Sequence, residues 1–315
     1  MDKRLVPAQH ATQPRGLIIV KLLTLLMVAV SVLACPMVLR GQTAPATATP
    51  RQASVQWAGA DVTLTGELFL PTARDQLPPR SPAIVLLHGC GGLYTQRGQL
   101  TGRHREWAQR FAAWGFITLL VDSFGPRGLG PICTLKDRPI HPWRERTLDA
   151  YAALEYLAAR ADVDRTNIFV MGWSHGGSTV TGVVREQAPG QRGDGPRFKA
   201  AIAYYPGCER PLRAQHYRLT VPLLIQHGAA DDWAPAAPCV TLAAKLQPLG
   251  IPVETILYPE AHHGFDAPNS PLRFRPDVYN PRAPGERGAH VGTHEPARLQ
   301  AIADTKRFLD QQLAR

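Results

Sequence analysis

No His-Glu-x-x-His motif and no paired Cys/His spacing occurs among the eleven histidines and five cysteines of this 315-residue chain. Metal catalysis therefore has no recognisable ligand set, and His88, His227, His262 and His263 are not read as one. The arginines are scattered without aromatic interleaving, so a nucleic-acid module is excluded despite a formal charge of +10. There is no internal repeat. No apolar run reaches the roughly 20 residues of a membrane span. Charge is sparse at 19% and aromatics at 7%, against 44% hydrophobic residues. That is ordinary for a globular chain with a sizeable core, sized for one large domain or two small ones.

The N-terminus is of a different kind. An apolar run over residues 17–34, interrupted by Lys21 and a few small polar residues, follows Lys3, Arg4 and Arg15. These are the basic and hydrophobic regions of a signal peptide, with a retained membrane anchor as the alternative reading of residues 1–34. Val32-Leu-Ala-Cys35 also resembles a lipoprotein processing box, although leucine is not the usual small residue at its middle position. Lipidation of Cys35 and simple cleavage nearby both stay open. Residues 35–52 read as a flexible leader, rich in Ala, Thr and Pro, and the folded domain as residues 53–315. Without residues 1–34, which carry four bases against one acid, about +7 remains, compatible with anionic substrates or surfaces. Export to the periplasm or cell envelope leaves Cys90, Cys133, Cys208 and Cys239, an even set that suggests two disulfides in one of three pairings.

Residues 53–57 and 62–70 alternate apolar and polar around Gly59, the pattern of an antiparallel hairpin. Continuous apolar strands then alternate with helical stretches: strands at 83–88, 116–122, 167–171, 200–205, 222–226 and 253–258, helices near 105–113, 144–160, after Ser174, 239–249 and 296–313. Leu148, Ala152, Leu154 and Leu157 mark the buried face of the second helix. The rhythm predicts an α/β protein with a mostly parallel sheet, helices on both faces, and a site outside the strands' carboxyl ends. About fifteen residues between Tyr205 and the strand at Pro222 are too few for a large cap domain.

The stretch around Gly172-x-Ser174-x-Gly176 runs from apolar strand through a tight turn into a helix, the setting of a nucleophile elbow. A serine hydroxyl needs a base, and the base needs a carboxylate. Asp231 follows the strand ending at Gln226, and His262-His263 follows the strand ending at Tyr258, which gives the α/β-hydrolase chain order of serine, acid, histidine. Asp231 is preferred to Asp232, expected as a cap or surface group, and His263 to His262. Two backbone donors are expected for an oxyanion: the N–H of His175 and that of Cys90, with Gly91 as the alternative. Arg127 is a candidate for binding a substrate carboxylate or for ordering its own loop. The proline-rich segment holding Arg273, Arg275, Arg282 and Arg287 is expected as a solvated loop near the pocket.

Leu87-His-Gly-Cys-Gly-Gly92, Asp122-Ser-Phe-Gly-Pro-Arg-Gly128, Gly172-Trp-Ser-His-Gly-Gly177, Tyr205-Pro-Gly-Cys208, Asp231-Asp-Trp-Ala-Pro-Ala-Ala-Pro-Cys239 and Tyr258-Pro-Glu-Ala-His-His-Gly-Phe265 together resemble the dienelactone hydrolase family. The resemblance runs from about Ser81 to the C-terminal helix. It implies an α/β-hydrolase that cleaves a small-molecule ester or lactone through an acyl-enzyme, with Ser174, Asp231 and His263 as triad and without metal or organic cofactor. Serine stands where the enzymes that gave the family its name have cysteine. An acyltransferase using the same triad and a non-catalytic envelope binding protein are the competing readings.

Overall fold

The computed structural model describes residues 50–72, 78–250 and 252–315, all within one compact unit, Thr47–Arg315. The expected signal or anchor segment, Cys35 and nearly all of the leader lie outside the described residues. Among those described, no helix is long and apolar enough to cross a membrane.

Eight strands form one sheet: β1 (Gln52–Ala58), β2 (Thr63–Phe69), β3 (Ser81–Leu87), β4 (Ile117–Asp122), β5 (Val163–Trp173), β6 (Ala201–Tyr204), β7 (Leu223–Gly228) and β8 (Val253–Tyr258). Their order is β1-β2-β4-β3-β5-β6-β7-β8. The β1–β2 hairpin joins β4 antiparallel, and every pairing from β4 to β8 is parallel. The central strands β3 and β4 and the C-terminal half of β5 read as apolar runs because both of their faces are covered, whereas the edge strand β8 carries Glu254 and Thr255 and is only partly buried. Successive side chains point to opposite sides. Ile84 and Leu86 of β3, with Phe169 and Met171 of β5, therefore pack with Trp107 and Phe111 of α1 (Gly102–Ala113) and Phe308 and Leu309 of α6 (Glu295–Leu313). Val85, Leu87 and Val170 face the other way, against Leu154 and Leu157 of α2 (Glu145–Ala158), Val180 of α3 (His175–Val183) and Leu242 of α5 (Ala237–Leu246).

Two expectations are corrected and one short element had no signal in the sequence. Residues 273–291 are not a plain solvated loop: β9 (Arg273–Tyr279) and β10 (Arg287–Val291) pair antiparallel in a second, two-stranded sheet. Pro276 and a register shift hid the alternation, and a bridge from His263 to Val291 lays the ribbon beside the histidine loop. A short α4 (Glu209–Arg213) had no periodic signal at five residues. The buried face of α2 is also rotated: Ala150, Ala153, Leu154 and Leu157 are buried together with Arg146 and Asp149, while Leu148 and Ala152 are only half-buried.

Both disulfides lie among the loops at the sheet's carboxyl end, Cys90–Cys133 and Cys208–Cys239. The first ties the turn after β3 to the segment leading into α2, and the second ties the loop after β6 to α5.

Candidate active site

At the end of β5 the chain turns through Ser174 at φ 52°, ψ −113°, a left-handed conformation that is strained for a residue with a side chain. The flanking glycines make the turn feasible. A Cβ at Gly172 would sit 2.4 Å from the Gly176 carbonyl oxygen, and one at Gly176 would sit 2.0 Å from that of Leu87. The elbow can therefore press against β3 only while both positions lack side chains. Ser174 then stands proud of the sheet, and α3 starts directly behind it.

Asp231, after β7, and His263, after β8, reach the same point. His263 Nδ1 is 2.7 Å from Asp231 Oδ2, and its Nε2 is 2.9 Å from Ser174 Oγ. The other Asp231 oxygen accepts the N–H groups of Trp233 and Ala234 at 2.9 and 2.8 Å. Burial pushes the Asp231 carboxyl up, but the electrostatic attraction of the His263 imidazole and the hydrogen bonds of His227 and His263 outweigh it and hold the group well below its ordinary value. Asp231 is thus an ionised acceptor, so Nδ1 of His263 carries the proton and Nε2 is left to accept from the serine hydroxyl. The rings of Tyr205 and Trp233 lie 4.6 and 4.8 Å from the His263 ring and wedge it in place.

The neighbouring candidates take other roles. The His262 ring packs 5.4 Å from that of His290, away from Ser174's hydrogen bond. Asp232 is the surface group of its two expected roles: it is exposed, accepts from the N–H and ring of His290 at 2.9 and 2.8 Å, and so fastens β10. His88 bonds the Gly89 carbonyl and the Ser123 N–H, and His227 the Ala234 carbonyl, all within the scaffold. Among the described residues no three His, Cys, Asp or Glu side chains are grouped to hold a metal.

His175 is the first residue of α3, where an N–H has no acceptor within the helix. Cys90 sits on the turn after β3, held by its disulfide, and its carbonyl accepts from Ile132 at 2.9 Å. Of the two roles expected for Arg127, the structure corrects substrate binding and leaves the ordering of its own loop. All five of its N–H donors are engaged, by Asp61 at one end, both oxygens of the fully buried Asp149 at the other, and the Ser123 carbonyl between. It has no donor left for a substrate carboxylate and does not line the pocket over Ser174.

That pocket has a volume of about 550 Å³, with Ser174, His175, Ser178, Tyr205, Trp233 and His263 at its floor and sides. Its rim is basic. Lys136 is paired with Glu286 and Arg282 with Glu209, while Arg138 forms no ion pair among the described residues. Arg282 and Tyr279 come from the β9–β10 segment.

Sequence reasoning missed Asp266, a buried carboxylate three residues beyond His263. It accepts from Trp173 Nε1 at 2.8 Å, Trp107 Nε1 at 3.0 Å and Tyr205 OH at 2.5 Å, and it pairs with Arg103 at 3.2 Å. One side chain thereby joins the histidine loop, the residue before Ser174 and the ring against His263. No local pattern marks it. Arg146 was also missed, though it was legible: it shares the helical spacing of Ala150, Ala153 and Leu157, where an arginine is out of place.

A mostly parallel, doubly covered sheet with a tight strand-to-helix turn at its carboxyl end, and no cap among the described residues, defines an α/β-hydrolase. The dienelactone hydrolase family model matches residues 68–313, and the chain belongs to that family. The structure is similar to a putative dienelactone hydrolase of Klebsiella pneumoniae, with a TM-score of 0.60, 16% identity, and coverage of 83% of this chain and 99% of that one. It is also similar to esterase Est2 of Thermogutta terrifontis, with a TM-score of 0.58, 21% identity, and coverage of 82% and 93%. At these identities the likeness is one of fold. In sequence the chain is 24% identical over 233 residues to acylamino-acid-releasing enzyme 1 of Oryza sativa subsp. japonica, and this match spans only 28% of that relative.

Proposed function

We propose that the protein is an exported serine esterase or lactonase that cleaves a small carboxylic ester through an acyl-enzyme on Ser174. The observation that carries this reading is the unbroken hydrogen-bond chain from Ser174 Oγ through His263 to Asp231 at 2.9 and 2.7 Å. As Oγ attacks the carbonyl carbon, Nε2 of His263 takes its proton, and Asp231 stabilises the imidazolium so formed. The carbonyl oxygen becomes negative and is received by the N–H groups of Cys90 and His175. The imidazolium then hands its proton to the leaving alkoxide. In a lactone that alkoxide stays tethered to the acyl group. Water, deprotonated by the same histidine, releases the acid and restores the serine.

Arg138, which lines the pocket and forms no ion pair among the described residues, favours an ester that bears negative charge. Two disulfides support an oxidising compartment, the periplasm or cell envelope, reached by means of residues 1–34 or a lipidated Cys35. Esterase and acylaminoacyl peptidase neighbours share the fold, so amides belong in the assay.

The test is labelling with a fluorophosphonate, expected for the wild type and absent in Ser174→Ala, followed by turnover of p-nitrophenyl esters, small lactones and an acylaminoacyl anilide. Wild-type protein that is neither labelled nor active would leave a binding module with a hydrolase fold. Faster turnover on added alcohol, with the alcohol ester as product, would make it an acyltransferase.

A further inference from the structure

Arg146, in the first turn of α2, has no solvent exposure, yet it takes part in no ion pair within 4 Å among the described residues. Its Nε and Nη2 have no hydrogen-bond partner. The two carboxylates acting on it from a distance are occupied elsewhere: Asp149 by Arg127, and Asp122 by the N–H groups of Phe124 and Gly125. The guanidinium lies over the Phe124 ring at 5.4 Å, and its single hydrogen bond runs from Nη1 to Nδ1 of His175 at 2.9 Å. A cation buried with so little compensation is costly, and an aliphatic side chain would fill the same space without that cost. Its one partner is the residue directly after Ser174.

Since a guanidinium only donates, Nδ1 of His175 must accept, and its ring is neutral with the proton on Nε2. Burial and then the charge of Arg146 push the same ring well below the ordinary histidine value, in accord with that state. Burial lowers Arg146 to about 10, which leaves it charged at neutral pH. Resting on the reading of Ser174 as nucleophile, we propose that Arg146 is a positioning residue for the oxyanion site. It fixes the ring of His175, and with it that residue's main-chain N–H, and sets a permanent positive charge behind the point where the carbonyl oxygen becomes negative. The neutral ester gains little from this charge and the tetrahedral anion gains much, so the effect falls on kcat and not on KM.

The experiment compares wild type, Arg146→Met and Arg146→Lys in p-nitrophenyl acetate hydrolysis and in binding of phenylboronic acid. Ser174 Oγ adds to boron and its proton passes to His263, so the adduct is a tetrahedral anion that mimics the intermediate. Arg146→Met is expected to lower kcat by about ten- to a hundredfold, less than the loss of a direct donor, with KM changed less than about threefold. Boronate affinity should fall in parallel, and Arg146→Lys should recover most of both. A purely structural arginine would lower the unfolding temperature without coupling kcat to boronate affinity. The proposal is overturned if Arg146→Met keeps both quantities within about twofold of wild type, or if Arg146→Lys loses as much as Arg146→Met. If Arg146→Met does not fold, Arg146→Gln, which keeps donors but no charge, is judged by the same criteria. Ester turnover without fluorophosphonate labelling of Ser174 would instead remove the nucleophile reading beneath the proposal.

Discussion

Asp231 and Arg127 show how much a single side chain's partners decide. An acid that orients a histidine must stay ionised inside the protein, and Asp231 does so because His263 and His227 outweigh its burial. Asp231→Asn is expected to lower kcat by about 10³–10⁴ with little change in KM, because the amide no longer enforces the tautomer that leaves Nε2 free. Its folded-state value lies below the ordinary 3.8, so the stability it contributes is complete above about pH 4 and is lost as pH falls further. Urea unfolding from pH 5 to pH 2 should therefore be less pH-dependent in Asp231→Asn than in the wild type. Arg127 gives the opposite case. Arg127→Gln takes from the buried Asp149 its only ion pair within 4 Å among the described residues, which costs about 3 kcal/mol in unfolding free energy, while KM for a charged ester stays as it was. Arg138→Gln should raise that KM and leave stability nearly unchanged.

At the scale of elements, the elbow and the disulfides hold the candidate donors in place. Gly176→Ala puts a methyl group 2.0 Å from the Leu87 carbonyl oxygen, which only a separation of α3 from β3 relieves. Weak expression or a stability loss of about 2 kcal/mol or more, with fluorophosphonate labelling lost first, is the expected outcome. The two disulfides close separations of 43 and 31 residues, worth about 4 kcal/mol each in chain entropy. Cys90→Ser with Cys133→Ser should lower kcat more than Cys208→Ser with Cys239→Ser at similar stability, since only the first pair holds the turn that presents the Cys90 N–H. The strand-to-helix rhythm and the elbow were legible because each is a local pattern, and the serine, acid, histidine order because each of the three candidates follows a recognisable strand. The β9–β10 ribbon was not, since Pro276 and the shift between Arg287 and Ala289 break its alternation. For Arg127 the sequence left substrate binding and loop ordering open, and only three dimensions decide between them, with Asp61, Asp149 and the Ser123 carbonyl together taking every donor.

Across the whole molecule, buried histidines set the response to acid. His88 and His175 are held well below the ordinary histidine value and His104 at about 3, in each case chiefly by burial. They stay neutral in the folded state and take up protons in the unfolded chain below about pH 6.5. The stability linked to them is therefore complete above that pH and falls away progressively below it. Thermal unfolding at pH 7.5, 6 and 5 should show a steadily falling midpoint, with a shallower decline in His104→Asn. The sheet brings together loops some ninety residues apart, and the Asp266 carboxylate knots them where they meet. Because two of its donors are the indoles of Trp107 and Trp173, the protein carries its own optical gauge: when the histidine loop lifts away, their emission changes colour, so assembly of the site can be watched in real time before any ester is added.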